Sequence, residues 1–267
     1  MNSLELARNI RLSALRMVHA ANASHIGSCL SLTDILAVLY GRVMKVDPTQ
    51  PGWAGRDRLI VSKGHASAAV YSALAARGFL DAAELADYGK DGSRLMAHVS
   101  HKVPGVEMSS GSLGHGLPFG VGKALAARQL GAAWRVYVLL SDGEMDEGSN
   151  WEALMFAAHH GLDNLTAVID YNKYQSLDTV SATLALEPLG AKLSAFGWDV
   201  AEVDGHDHDA LAEAVTRDTQ GRPRAVVAHT IKGKGVSFME GKVEWHYRSP
   251  NAQLLEQALA EVERGHA

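Results

Sequence analysis

Residues 136–140 (VYVLL) and 165–170 (LTAVID) are apolar runs with almost no polar alternation. A strand with one face in water alternates, whereas a strand covered on both faces does not. Runs of this kind therefore belong inside a parallel sheet with helices packed above and below. Each is closed by polar residues, Asp142-Gly143 after the first and Asp170-Tyr171-Asn172 at the end of the second. Asn172 follows Asp142 by about thirty residues, the length of one strand–helix–strand crossover, which predicts that the two emerge side by side at one rim of the sheet. Ligands of such sheets bind outside the carboxyl ends of the strands.

The remaining pattern extends that sheet. Leu4, Ala7, Ile10, Leu12, Leu15 and Val18 recur at helical spacing and predict a first helix, interrupted near Gly27. Ser31-Leu32-Thr33-Asp34 reads as a cap with an acidic first turn, continued by a helix over 35–44 to the stop at Asp47-Pro48. A short strand over 58–62 leads into an alanine-rich helix over 65–77, closed by Gly78. Residues 91–112, rich in Gly, Ser, His and Pro, read as a long loop, and loops of that length in compact domains tend to be functional. Helices over 114–130 and 150–160 flank the first apolar run. Helix and strand then alternate through 189–196, 198–203, 207–219 and 225–229, before a last helix over 251–264. The expected fold is α/β, a parallel sheet with helices on both faces, and residues 1–267 read as one domain.

Charge and composition narrow the function. A formal net charge of −5 and a pI near 6.2 give no basic field suited to nucleic acid or to an anionic membrane. Cys29 is the only cysteine, so no internal disulfide can form and a reducing, cytoplasmic setting is expected. The first twenty residues carry Glu5, Arg8, Arg11 and Arg16, unlike a signal peptide, and no stretch has the apolar length needed to span a bilayer. A soluble protein with small-molecule ligands is the expectation.

Asp142 and Asn172 offer one carboxylate and one amide oxygen. Mg²⁺ takes a near-octahedral shell of oxygens, with few from protein and the rest from water and phosphate, and a backbone carbonyl at Tyr174 would complete the protein share. Gly143 would let a diphosphate approach the backbone closely. Taken singly, each turn is an ordinary end to a strand. In register with their strands, however, the two positions resemble the thiamine-diphosphate motif, which opens with Gly-Asp-Gly and closes with Asn after about thirty residues. Ser141 stands here for the first glycine.

The likeness covers essentially the whole chain. Ser24-His25-Ile26-Gly27-Ser28, the run from Asp57 to Gly64-His65, Ser110-Gly111-Ser112-Leu113-Gly114-His115-Gly116 and Thr230-Ile231-Lys232-Gly233-Lys234-Gly235 are similar to segments of the amino-terminal half of transketolase. Within that family the chain resembles the separate small subunit of split transketolases. His115 stands where the family usually has glutamine.

That resemblance implies thiamine diphosphate and Mg²⁺ (or Ca²⁺ or Mn²⁺) as cofactors. It implies cofactor contacts from His65, Ser112, Leu113, Gly114, Ser141, Asp142, Gly143, Glu144, Asn172 and His246. The metal would rest on Asp142, Asn172 and Tyr174. His25, His98 and His246 would ring the reactive carbon, where an imidazole can both accept and return a hydroxyl proton near neutral pH. Glu147 and Glu152 would join an acidic chain across a dimer interface; read alone, they are a loop carboxylate and one in the first turn of a helix. Lys232 and Lys234 are candidates to face phosphate. His19, His159 and His160 fall on expected helices, and His101, His206 and His208 have no assigned role.

The family's glutamate at the far nitrogen of the aminopyrimidine comes from a following domain, for which residues 1–267 leave no room. The expected partner is a separate C-terminal, pyrimidine-binding transketolase subunit, two copies of each chain, acting on sugars. Two other readings remain open: a related enzyme with pyruvate or another donor, such as deoxyxylulose-phosphate synthase, and a non-catalytic partner subunit.

Overall fold

The computed structural model of the chain describes residues 1–265. Among them, β1 (Arg58–Val61), β2 (Val136–Ser141), β3 (Leu165–Tyr171), β4 (Asp199–Asp204) and β5 (Arg224–His229) form one sheet, in the spatial order β1-β2-β3-β5-β4. Every pairing is parallel. Successive strand residues feed two separate cores, which is why the sequence runs are apolar at both phases. Tyr137, Leu139 and Val168 face a core built with α1 (Ser3–Ala20), α3 (Thr33–Val38), α4 (Ser67–Ala76), α9 (His208–Thr216) and α10 (Ala252–Arg264). Val136, Val138, Leu140, Ala167 and Ile169 face the other, built with α5 (Gly116–Gln129), α6 (Gly148–His159) and α8 (Leu189–Ala195). Each fully buried side chain of this size contributes roughly 1.5–3 kcal/mol. The expected α/β layering is observed.

Four local readings change. The interruption near Gly27 is a short helix, α2 (Ile26–Ser31), and Gly27 sits inside it because a Cβ there would press on Lys232 Cγ at 3.1 Å and the Trp245 carbonyl at 3.2 Å. Ser31 does not cap the next helix. The chain passes from α2 to α3 through Leu32 in a helical conformation, and the Ser31 hydroxyl instead donates to Asp170 Oδ2 at 2.6 Å. Asp34, expected as the acid of a helix's first turn, is buried and bonded to Arg11, His206 and His208. The helix expected over 207–219 stops at Thr216, because the buried Arg224 guanidinium takes the carbonyls of Ala214 and Asp218.

The register sets the functional rim. Ser141 pairs with Asp170, so Asp142 and Asn172 both leave the sheet just beyond that level. Residues 91–112 hold no helix or strand, as expected, and lie against the end of β1. Val99 N–H donates to the Gly64 carbonyl at 3.0 Å, and the Ser110 hydroxyl donates to the Val61 carbonyl at 2.5 Å. Gly64 permits that contact, since a Cβ there would stand 2.2 Å from the Ser110 carbonyl oxygen. The loop thereby carries His98 to the rim.

Candidate active site

One cleft of about 240 Å³ opens at this rim, lined by His25, His65, His98 and His246 together with Leu113, Ser141, Asp142, Gly143, Asn172 and Tyr174. The imidazoles come from four distant segments and stand close together. The His25 ring centroid lies 5.1 Å from His65, 5.9 Å from His98 and 5.0 Å from His246. His25 precedes α2 with φ of 74°, and its N–H donates to the His246 carbonyl at 2.7 Å. A non-glycine residue in this conformation is strained by about 1–3 kcal/mol and persists where neighbours hold it, which is common at functional sites.

Burial keeps His25, His65 and His246 neutral. It lowers His25 to about 4, with help from His98, Lys232 and Lys63, and lowers His246 to about 3, with help from Lys232 and His25. His65 is driven well below its ordinary value, again by burial first and then by Lys63. Lys232 Nζ stands 3.0 Å from His246 Nδ1; an ammonium only donates, so the neutral His246 ring carries its proton on Nε2. Neutral imidazoles at pH 7 can take a proton from a substrate hydroxyl and give it back.

Asp142 is 1 % exposed and Asn172 3 %. Asp142 Oδ1 accepts the Gly143 N–H at 2.8 Å, and Oδ2 accepts the Lys173 N–H at 2.5 Å, where Lys173 has φ of 72°. Among the described residues Asp142 forms no ion pair, and burial followed by repulsion from Asp170 pushes it up to about 7. Lys63, whose charge acts on Asp142, is paired with Asp170, both at 0 % exposure. A buried carboxylate without its own counter-ion, beside an amide oxygen, fits a hard divalent cation that completes its shell with water and phosphate oxygens. Tyr174 lies in a hairpin between the bonds from Gln175 N–H to the Asp178 carbonyl (2.8 Å) and from Val180 N–H to the Lys173 carbonyl (3.0 Å).

The other expected residues lie elsewhere. Glu144 is fully buried below the cleft, where its carboxylate accepts from the Ser62 hydroxyl, Gly114 N–H (2.8 Å) and Ser141 N–H (3.3 Å). Gly114 and Ser112 adjoin the cleft without lining it, and His115 is exposed, its Nδ1 3.1 Å from the Leu113 carbonyl. Glu147 and Glu152 are exposed near the start of α6. His19 bonds to the Pro250 carbonyl at 2.7 Å, and His159 and His160 are exposed. Sequence reasoning missed Ser28, Gln175 and Ser176 as lining residues, and Lys63 as the partner of Asp170. A lysine directly after a buried strand and before Gly64-His65 was the available signal for Lys63.

Residues 3–262 match the family described as transketolase, thiamine diphosphate binding domain. The chain belongs to the transketolase family. It is 41% identical over 261 residues to a 6-deoxy-6-sulfo-D-fructose transketolase subunit of Clostridium sp. (strain MSTE9), covering 97% of this chain and 95% of that one. An apulose-4-phosphate transketolase subunit of Phocaeicola vulgatus is 42% identical over 254 residues, covering 94% and 90%. A transketolase crystal structure from Campylobacter jejuni superposes with a TM-score of 0.92 at 30% identity, covering 98% of this chain and 43% of that one. The chain thus spans less than half of the solved transketolase and nearly all of the separate subunits. It corresponds to the thiamine-diphosphate-binding subunit of a split, two-component transketolase, a transferase.

Proposed function

We propose that this chain holds the diphosphate and metal end of thiamine diphosphate and works with a separate C-terminal, pyrimidine-binding subunit, two copies of each, to transfer a two-carbon ketol unit between sugars or sugar phosphates. The observation that carries this reading is the convergence of four imidazoles, three of them held neutral by burial, with Asp142 and Asn172 in one cleft. Asp142, Asn172 and the Tyr174 carbonyl would hold Mg²⁺, or Ca²⁺ or Mn²⁺ in its place. His65 and His246 would meet the diphosphate, with Ser112, Leu113, Gly114, Ser141, Gly143 and Glu144 shaping its surroundings. Bound there, thiamine diphosphate supplies the nucleophilic carbon that takes up and hands on the two-carbon unit. His25, His98 and His246 orient the donor hydroxyls and move their protons.

Glu147 stands at the N-cap of, and Glu152 lies on, the helix that carries exposed Met155 and Phe156, and Phe119 on the neighbouring α5 is exposed as well. A second subunit covering that face would bury the two carboxylates, which are then retained as a proton-sharing pair. No described helix is long and apolar enough to cross a membrane, and the buried free Cys29 fits a reducing cytoplasm.

Two of the relatives are named for a sulfo-sugar and a sugar phosphate, so either class of substrate fits the reading. Mixing this chain with its pyrimidine-binding subunit, thiamine diphosphate and Mg²⁺ is expected to give ketol transfer from a ketose or ketose phosphate without release of carbon dioxide. Turnover by this chain alone, or carbon dioxide released from pyruvate by the pair, overturns it.

A further inference from the structure

His206 lies between β4 and α9, outside the cleft. We infer that it is a positioning residue which, with Asp34 and Arg11, fixes the 230–235 loop and so sets Lys232 beside His246; this rests on the reading that the cleft receives the cofactor's diphosphate. His206 Nε2 is 2.9 Å from the Ile231 N–H. A backbone amide only donates, so Nε2 is unprotonated and the ring proton sits on Nδ1, from which it is donated to Asp34 Oδ2 at 2.6 Å. Asp34 also accepts both terminal nitrogens of Arg11, at 3.0 and 2.5 Å, and stands 3.1 Å from His208 Nε2. Burial works against its charge, but Arg11 and the bonds from His206 and His208 outweigh it and hold the carboxyl far below the usual carboxylate range.

Arg11 serves the other end of the loop, with Nε donating to the Lys234 carbonyl at 3.2 Å. One buried carboxylate therefore anchors the loop twice, through His206 at Ile231 and through Arg11 at Lys234, with Lys232 between the anchors. Ile231 is 39 % exposed, so burial of its own side chain does little to hold the segment. From this fixed loop the Lys232 stem runs over Gly27, and its ammonium donates to the Gln175 carbonyl at 2.9 Å and to His246 Nδ1 at 3.0 Å. Burial, then Lys63, lowers Lys232 to about 8, while Asp142 and Asp170 raise it, which keeps it cationic at neutral pH next to the cleft. Thr230, held through its N–H to the Tyr171 carbonyl, still ties down the start of the loop, so loss of the His206 contact would release Ile231, next to Lys232, and blur the position of that cation.

Two amide variants separate positioning from plain stability. His206→Asn keeps a donor where Nδ1 meets Asp34 but has nothing to accept the Ile231 N–H. His206→Gln is long enough to offer an acceptor to Ile231 and a donor toward Asp34. Thiamine diphosphate affinity is measured by calorimetry at fixed Mg²⁺ on the assembled two-subunit protein, with Asp142→Ala as control. The expected result is affinity lowered about tenfold in His206→Asn and within about threefold of wild type in His206→Gln, as for loss and retention of one net hydrogen bond. If His206→Asn binds like wild type, or both variants weaken alike, while Asp142→Ala abolishes binding, the positioning role is overturned. If Asp142→Ala also binds normally, the cofactor reading itself fails and the inference falls with it.

Discussion

Replacing Asp142 with alanine is expected to abolish Mg²⁺-dependent thiamine diphosphate binding by the assembled protein. Removing even an outer partner of a metal ligand costs about 10–100-fold in affinity, so loss of the carboxylate itself should reach at least the upper end of that range. The carboxylate must be ionised to bind metal, and in the metal-free chain burial and Asp170 push it up to about 7. Binding should then be flat above pH 7 and fall by up to about tenfold per unit below it, where up to one proton is released per metal bound. His25 and His246, lowered to about 4 and 3, do not compete in that window. With a folded-state pKa above the unfolded one, the metal-free chain loses stability as pH rises from the ordinary carboxylate range toward 7. Mg²⁺ should restore it, so the rise in Tm on adding Mg²⁺ should be larger at pH 8 than at pH 5.5. Unchanged calorimetric affinity in Asp142→Ala removes the metal assignment; an equal Mg²⁺ effect on Tm at both pH values removes the titration.

Asp142 and Asn172 were legible because both depend on short-range information, an apolar run closed by polar residues and a crossover of fixed length. The helices were legible for the same reason, with boundaries set by capping and by glycine. The four imidazoles of the cleft come from segments between 25 and 246, and no periodicity joins them; likeness to a family did. Long-range polar partners were not legible. Ser31 looked like a cap because serine before a helical run usually is one, yet its bond reaches Asp170, 139 residues away. Asp34 looked like a favourable first-turn acid, and its partner Arg11 lies a whole helix earlier. Glu144 entered the cofactor contacts through the resemblance alone, and nothing local in the sequence signalled that its side chain turns onto Ser62 and the Gly114 amide.

Asp170→Ala is expected to destabilise the chain by about 3–5 kcal/mol, the usual cost of leaving one member of a buried ion pair without its partner. Asp170 and Lys63 are both at 0 % exposure, at the ends of β3 and β1, and the carboxylate also accepts from the Ser31 hydroxyl and the Thr230 hydroxyl. Burial alone would raise the Asp170 pKa, yet the Lys63 charge and these bonds outweigh it and lower it, so the carboxylate is ionised at neutral pH. One side chain thus ties together α2, β3, the segment after β1 and the start of the 230–235 loop, the segments that carry His25, Asn172, His65 and Lys232 to the cleft. Removing it leaves Lys63 charged and buried beneath the site, without the two hydroxyl bonds that lock the neighbouring segments. Asp170→Asn keeps hydrogen-bonding capacity toward Ser31 and Thr230 but not the charge, and should fall between wild type and alanine. Urea unfolding at pH 7 reads both variants. A loss below about 1 kcal/mol in Asp170→Ala, the range of an exposed pair, would show that the ion pair does not hold this rim together.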